Sequence, residues 1–168
     1  MNLVIRKMTL DDVPAVVGLD QKSFSLPWPE RSFRYELTGN PASRCWVAEL
    51  DGQVVGMIVV WLIGDEAHVA TLATLPDFRR RGIAKRLLSY ALQHLMREGA
   101  RSSFLEVRES NLAAQALYRM FGYTETGRRR RYYRDNDEDA LLMSLESLQP
   151  ERLTWDNEHS ISDTGERN

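Results

Sequence analysis

Residues 66–95 read EAHVATLATLPDFRRRGIAKRLLSYALQHL, and the architecture turns on this stretch. Residues 66–74 form a short run of small and β-branched side chains suited to a strand, which Leu75-Pro76-Asp77 breaks because proline lacks a ladder donor. From Gly82 onward, Ile83, Leu87, Leu88, Ala91, Leu92 and Leu95 give one apolar helical face, and Gly99 sits just past the expected end. The basic segment Asp77 to Lys85 joins strand to helix. A helix N-terminus presents free backbone N–H groups and the positive end of its dipole, so it accepts phosphate. Gly82 has no Cβ and would let an anion approach, and the arginines add charge. A basic loop that merely caps a helix, its charges solvated, is an equal reading of these residues alone. The segment is neither a GxxxxGK(S/T) phosphate loop nor a Rossmann glycine set.

The flanking chain supplies the rest of a mixed sheet. Residues 2–8 predict a first strand, and Thr9 with Asp12 predicts a capping box opening a helix to about Ser23. Ser25-Leu26-Pro27-Trp28-Pro29 must be a loop, and a short helix with Phe33 and Leu37 then runs to Gly39. Asp51-Gly52 marks a hairpin between Cys45–Leu50 and Gln53–Ile63, the second arm apolar enough to be buried on both faces. Residues 104–108 predict a strand, 111–121 a helix closed by Gly122, and 123–132 and 139–146 two last strands around an acidic turn. The order β-α-α-β-β-β-α-β-α-β-β predicts a mixed α/β (α+β) sheet with helices on both faces. Residues 1–148 read as one domain and 149–168 as a polar tail.

Composition narrows the function. The 168 residues carry 22 Lys and Arg against 24 Asp and Glu, a net charge of -2, which argues against a nucleic-acid coat or a polybasic membrane binder. One cysteine, Cys45, excludes an internal disulfide framework and reads as a buried small side chain. His68, His94 and His159 lack metal-ligand spacing, so no metal is expected. No secretory apolar region follows Met1, and no apolar run is long enough to span a membrane, so the expectation is a cytoplasmic protein.

A second constellation is Leu105-Glu106-Val107-Arg108 and Asn111, followed by Ala116-Leu117-Tyr118 and Phe121-Gly122-Tyr123. Asn111 stands where a helix cap belongs, or it faces a ligand. Asn111 and Tyr118 lie two turns apart on one helical face. Glu106 is either functional or a solvated strand carboxylate paired to Arg108. Tyr118 is either functional or a core aromatic with its hydroxyl at the rim.

Together these stretches resemble the GNAT superfamily of acetyl-CoA-dependent N-acetyltransferases over about residues 3–146. Arg79-x-x-Gly82-x-Ala84 is similar to that family's (Q/R)xxGx(G/A) loop, and the Glu106 to Asn111 and Tyr118 to Tyr123 stretches fit the same pattern. Ser25-Leu26-Pro27-Trp28 and Arg129 through Tyr133 resemble the RimI-like protein N-terminal acetyltransferases within it. Thr74-Leu75-Pro76 departs from that pattern, which has a valine and a polar residue before the proline. The resemblance implies that Leu72, Ala73 and Thr74 bind the pantetheine arm of acetyl-CoA through their backbone. It implies that Arg79, Arg80, Arg81, Gly82, Ile83, Ala84 and Lys85 form the acyl-CoA loop, and that Asn111 bonds the cofactor arm. Glu106 would be the general base and Tyr118 the general acid. Leu26, Pro27 and Trp28 would clasp a peptide N-terminus against Tyr132 and Tyr133, the partner being a protein N-terminus such as that of a ribosomal protein.

The chemistry is consistent with those roles. The attacking amine must be neutral, and at pH 7 an α-amine is roughly a tenth neutral against about four parts in ten thousand for lysine. That favours an α-amine without excluding a lysine or small-amine acetyltransferase. A different class, an RNA- or ribosome-binding module, is suggested by Arg128 to Arg131 interleaved with Tyr132 and Tyr133.

Overall fold

The computed structural model describes residues 2–153. Strand β1 (Leu3–Lys7) leads through a 3-10 turn at Leu10–Asp12 into α1 (Val13–Ser23), and α2 (Glu30–Thr38) follows. Strands β2 (Ser43–Leu50), β3 (Gln53–Ile63) and β4 (Glu66–Thr74) precede α3 (Ile83–Arg97). Then come β5 (Ser102–Arg108), α4 (Leu112–Phe121), β6 (Thr124–Tyr133), β7 (Glu138–Leu145) and α5 (Pro150–Leu153). The seven strands form one sheet in the order β1-β2-β3-β4-β5-β7-β6. Every neighbouring pair is antiparallel except β4–β5. This is the expected mixed, mostly antiparallel sheet.

Local chemistry accounts for the joints. Asp51 and Gly52 both have positive φ (49° and 88°), the handedness a tight hairpin turn requires. At the start of the 3-10 turn the Thr9 N–H donates to Asp12 Oδ2 at 2.8 Å, as the capping box predicts. Arg6 also grips Asp12 through two bonds of 2.8 and 2.9 Å, which holds that carboxyl below its usual pKa range.

Two apolar layers sandwich the sheet. On one face α3 and α4 contribute Leu87, Leu88, Leu92, Leu95, Tyr118 and Phe121. On the other, α1 and α2 contribute Val13, Val16, Leu19 and Phe33. Strand β3 is buried on both, with Ile58 and Val60 facing the α3 side and Met57 and Val59 the α1 side. Helix α3 packs so tightly that a Cβ on Gly56 would lie 3.0 Å from both Ile83 and Leu87. Among the described residues no helix is long and apolar enough to cross a membrane.

One boundary needs correction. The expected tail does not begin at Gln149, because Leu153 is 1% exposed and joins the α3 layer. Its carbonyl accepts bonds from Ser89 Oγ and from Gln93 Nε2, the latter at 2.7 Å. A single leucine in a polar stretch carries no periodicity, so only the packing reveals it. The rest of the expected tail, residues 154–168, lies outside the described residues.

Candidate active site

Strands β4 and β5 are paired only from Glu66–Val69 to Ser102–Leu105. Both continue beyond that point, β4 to Thr74 and β5 to Arg108, but they part. On its other edge β4 stays paired to β3 with a slipped register: Val60 faces Val69 while Val59 faces Thr71, which leaves Ala70 as a bulge. The bulge reverses the pleat, so Val69 and Leu72 share the α3 layer and Ala73 turns to the α1 layer. The main-chain groups of the last β4 residues on the β5 side face an opening instead of a strand partner.

That opening lets groups from both faces of the sheet line one cleft. Asp20, Phe24, Leu26 and Trp28 come from α1 and the loop after it. Leu72, Glu106 and Arg108 come from the parted strands, Asn111 and Tyr118 from α4, and Tyr133 from the end of β6. Of the residues expected at the acceptor clasp, Leu26, Trp28 and Tyr133 line this cleft. Pro27 and Tyr132 are exposed and do not line it, although the Tyr132 ring packs edge-on against Tyr133 with centroids 5.1 Å apart.

Glu106 sits on the exposed face of β5, and its carboxylate takes a 2.6 Å ion pair from Arg129 Nε of β6. The sequence suggested Arg108 as its partner. Instead, the strand order puts β7 between β5 and β6, and Arg129 reaches across while Arg108 turns to the β6–β7 turn. With the Arg129 side chain 58% exposed, the pair is worth only about 0–1 kcal/mol and opens at little cost.

Tyr118 is 7% exposed, and burial raises its phenol above the ordinary range, which keeps the proton on the oxygen. Its ring meets Tyr123 edge-on at 5.6 Å, and Tyr123 is itself fixed by its hydroxyl donating to Ser103 Oγ at 2.6 Å. Tyr133 is half-buried and pushed up to about 12 by that burial. Asn111 caps α4, its Oδ1 accepting the Ala114 N–H at 3.1 Å, and it also borders the cleft.

The loop between β4 and α3 lies outside this cleft. Arg80 (φ 65°) and Gly82 (φ 79°) are both left-handed, a backbone that turns successive N–H groups to one side. Gly82 has no side-chain cap to offer the first turn of α3, and a Cβ there would meet no protein atom within 4 Å. Arg79, Arg80 and Arg81 are exposed, with Arg79 Nε bonded back to the Thr74 carbonyl at 3.3 Å. Ile83 is 3% exposed, so its side chain belongs to the core and only its backbone faces the loop. Ala73 and Thr74 are buried rather than lining the cleft, and Thr74 Oγ1 has no hydrogen-bond partner.

The model of the acetyltransferase (GNAT) family matches residues 13–123. The chain belongs to the GNAT family. It is therefore an N-acetyltransferase, and acetyltransferases of this family use acetyl-CoA. The ribosomal protein bS18-alanine N-acetyltransferase of Escherichia coli (strain K12) is 33% identical over 145 residues, covering 84% of this chain and 95% of that protein. The N-alpha-acetyltransferase RimI of Mycobacterium tuberculosis (strain ATCC 25618 / H37Rv) is 38% identical over 128 residues, 74% of this chain and 78% of that one. The crystal structure of the E. coli ribosomal-protein-S18-alanine N-acetyltransferase superposes with a TM-score of 0.80 at 30% identity, covering 88% and 95% of the two chains.

Within this GNAT cleft, three features were not legible in the sequence. The Ala70 bulge leaves no composition mark, since alanine suits many backbones. Asp20 lies 1% exposed in α1, its pKa raised by burial, and its Oδ2 accepts the Trp28 N–H at 2.7 Å. A lone acid inside an apolar helical face was the available sign. Arg108 binds the acidic turn Asp135 to Glu138, two motifs noted separately whose contact only the sheet order creates.

Proposed function

We propose that this enzyme transfers an acetyl group from acetyl-CoA to the α-amine of a protein N-terminus, an N-terminal alanine of ribosomal protein bS18 being the acceptor named for its E. coli relative. The observation that carries this reading is the meeting of Glu106 and Tyr118, from opposite sides of the sheet, in the gap between β4 and β5. The open start of α3 fits a diphosphate: uncapped N–H groups, empty space over Gly82 and three flanking arginines form an anion cradle. The unpaired edge of β4 suits the amides of a pantetheine arm.

Acetyl-CoA supplies an acyl group activated as a thioester. Glu106 takes the proton from the acceptor ammonium, directly or through one water, as Arg129 swings off. A β4 backbone N–H at the opening donates to the thioester oxygen as negative charge develops. Tyr118, kept protonated by burial, donates to the departing sulfur. Leu26, Trp28 and Tyr133 enclose the first acceptor residues, a space suited to small ones. An acceptor of that kind would be met in the cytoplasm, which is where the proposed reaction would run. The RNA-binding alternative weakens because Arg128 is tied to Glu109, Glu125 and Asp139, and Arg129 to Glu106.

The test is an acetylation assay with acetyl-CoA on peptides beginning with free alanine, against the same peptides N-terminally blocked and carrying an internal lysine. Turnover confined to free N-termini supports the reading. Equal turnover of blocked peptides would make this a lysine acetyltransferase.

A further inference from the structure

We propose that Arg108 is a positioning residue that sets the acceptor slot by pinning its two lips to the strand that carries Glu106. The inference rests on the acceptor reading above and extends it to a residue outside the chemical step. Arg108 follows Glu106 by two positions on β5, so both side chains leave the same face of the strand. Its guanidinium forks onto Asp135, with Nη1 to Oδ1 and Nη2 to Oδ2 both at 3.0 Å. Nη1 also reaches Glu138 Oε1 at 3.3 Å and Asn136 Oδ1 at 3.4 Å. All of these acceptors lie in or beside the turn between β6 and β7.

The same guanidinium then turns to the opposite lip. Nη2 donates to Ser25 Oγ at 3.3 Å, and Ser25 Oγ donates to Asp135 Oδ2 at 2.5 Å. Ser25 belongs to the loop that carries Leu26 and Trp28. The guanidinium carbon Cζ also sits over the Tyr133 ring, 3.9 Å from its centre, and that ring lines the cleft. One side chain thus fixes the turn, the aromatic wall and the loop facing them. With its side chain 19% exposed and its donors shared among carboxylates, this is a partly buried, charge-assisted cluster rather than a surface pair. Lysine has a single charged nitrogen and could not hold Asp135 and Ser25 together while also covering Tyr133.

A positioning role separates acceptor binding from cofactor binding. Arg108→Ala and Arg108→Lys should each raise KM for a free-alanine peptide about tenfold while leaving the Kd for acetyl-CoA within about twofold, because no part of the α3 loop touches the cluster. Ser25→Ala should raise the same KM less, and should add nothing in the Arg108→Ala background. Amide hydrogen exchange, which needs no acceptor, should speed up in both 24–28 and 133–138 in Arg108→Ala and stay unchanged in 70–85. The proposal is overturned if peptide KM is unchanged in the Arg108 variants, if exchange rises in one lip only, or if Arg108→Lys restores the wild-type KM. Should Arg108→Ala fail to fold, Ser25→Ala and Asp135→Asn decide by the same readouts, and an unchanged KM in both overturns it. If the wild-type enzyme acetylates no free N-terminus, the acceptor reading fails on its own, and the exchange measurement still decides whether Arg108 joins the lips.

Discussion

The cleft and the β4–α3 segment that lies beside it are built from different materials. On the side proposed for the cofactor, the end of β4 and the start of α3 present main chain: an unpaired strand edge, a bulge at Ala70, and a left-handed turn at Arg80 and Gly82. On the side proposed for the acceptor, the α1–α2 loop and the β6–β7 turn are shaped by side chains: Asp20 under Trp28, and Arg108 bridging Asp135 and Ser25. A wall of backbone tolerates changes in side-chain identity as long as the φ/ψ angles survive. A wall of ion pairs can be altered by single substitutions, so the acceptor can change while the cofactor stays the same. Glu106 and Tyr118 stand between the two, and the largest effects are expected there.

Glu106→Gln should lower kcat by about 10²–10⁴-fold while acetyl-CoA affinity holds, since the carboxylate lies on the acceptor side of the gap. Raising the pH should recover part of the loss, because more of the amine is then already neutral. Steady-state rates across pH, beside calorimetric Kd values, check both statements; equal loss of cofactor binding would erase the division between the walls. Tyr118→Phe should cost about 10²-fold in kcat, with no recovery at high pH. Burial raises the Tyr118 pKa, so the wild-type rate should show no alkaline fall from this group below about pH 10, the ordinary phenol value. A descending limb near pH 8–9 that vanishes in the phenylalanine variant would contradict that assignment.

A change remote from both walls sharpens the contrast. Leu153→Ala removes a buried side chain from beneath α3 and should destabilise the domain by about 2–5 kcal/mol in denaturant unfolding, with both KM values unchanged. An altered acetyl-CoA Kd would show that α5 supports the cofactor wall through α3. The smallest expected effect tests the backbone wall itself. Gly82→Val forces a β-branched residue into φ 79° and fills the empty space above it, and should weaken acetyl-CoA binding by about tenfold. Arg80→Ala should weaken it less, because the cradle is mainly N–H groups. The reverse ranking by calorimetry would make that wall a side-chain site as well.

What could be read from the chain in advance follows from the range of the interactions. Element order, the Asp51-Gly52 turn, the glycine stops at Gly99 and Gly122 and the basic loop before α3 are set by residues within a few positions of one another. Their periodicity and turn chemistry stand in the linear text. Glu106 and Tyr118 were legible for the same reason, as members of local motifs at characteristic spacing. The sequence by itself therefore determined the mixed sheet, the basic loop that opens α3 and the local motifs that carry Glu106 and Tyr118. Only the tertiary structure decided that β4 bulges at Ala70 and parts from β5, that Glu106 pairs with Arg129 and not Arg108, and that Leu153 is core rather than tail. The Ala70 bulge depends on how the β3–β4 ladder slips, the Glu106–Arg129 pair on β7 lying between β5 and β6, and Leu153 on the surface that α3 leaves uncovered, and none of these leaves a periodic trace in the chain.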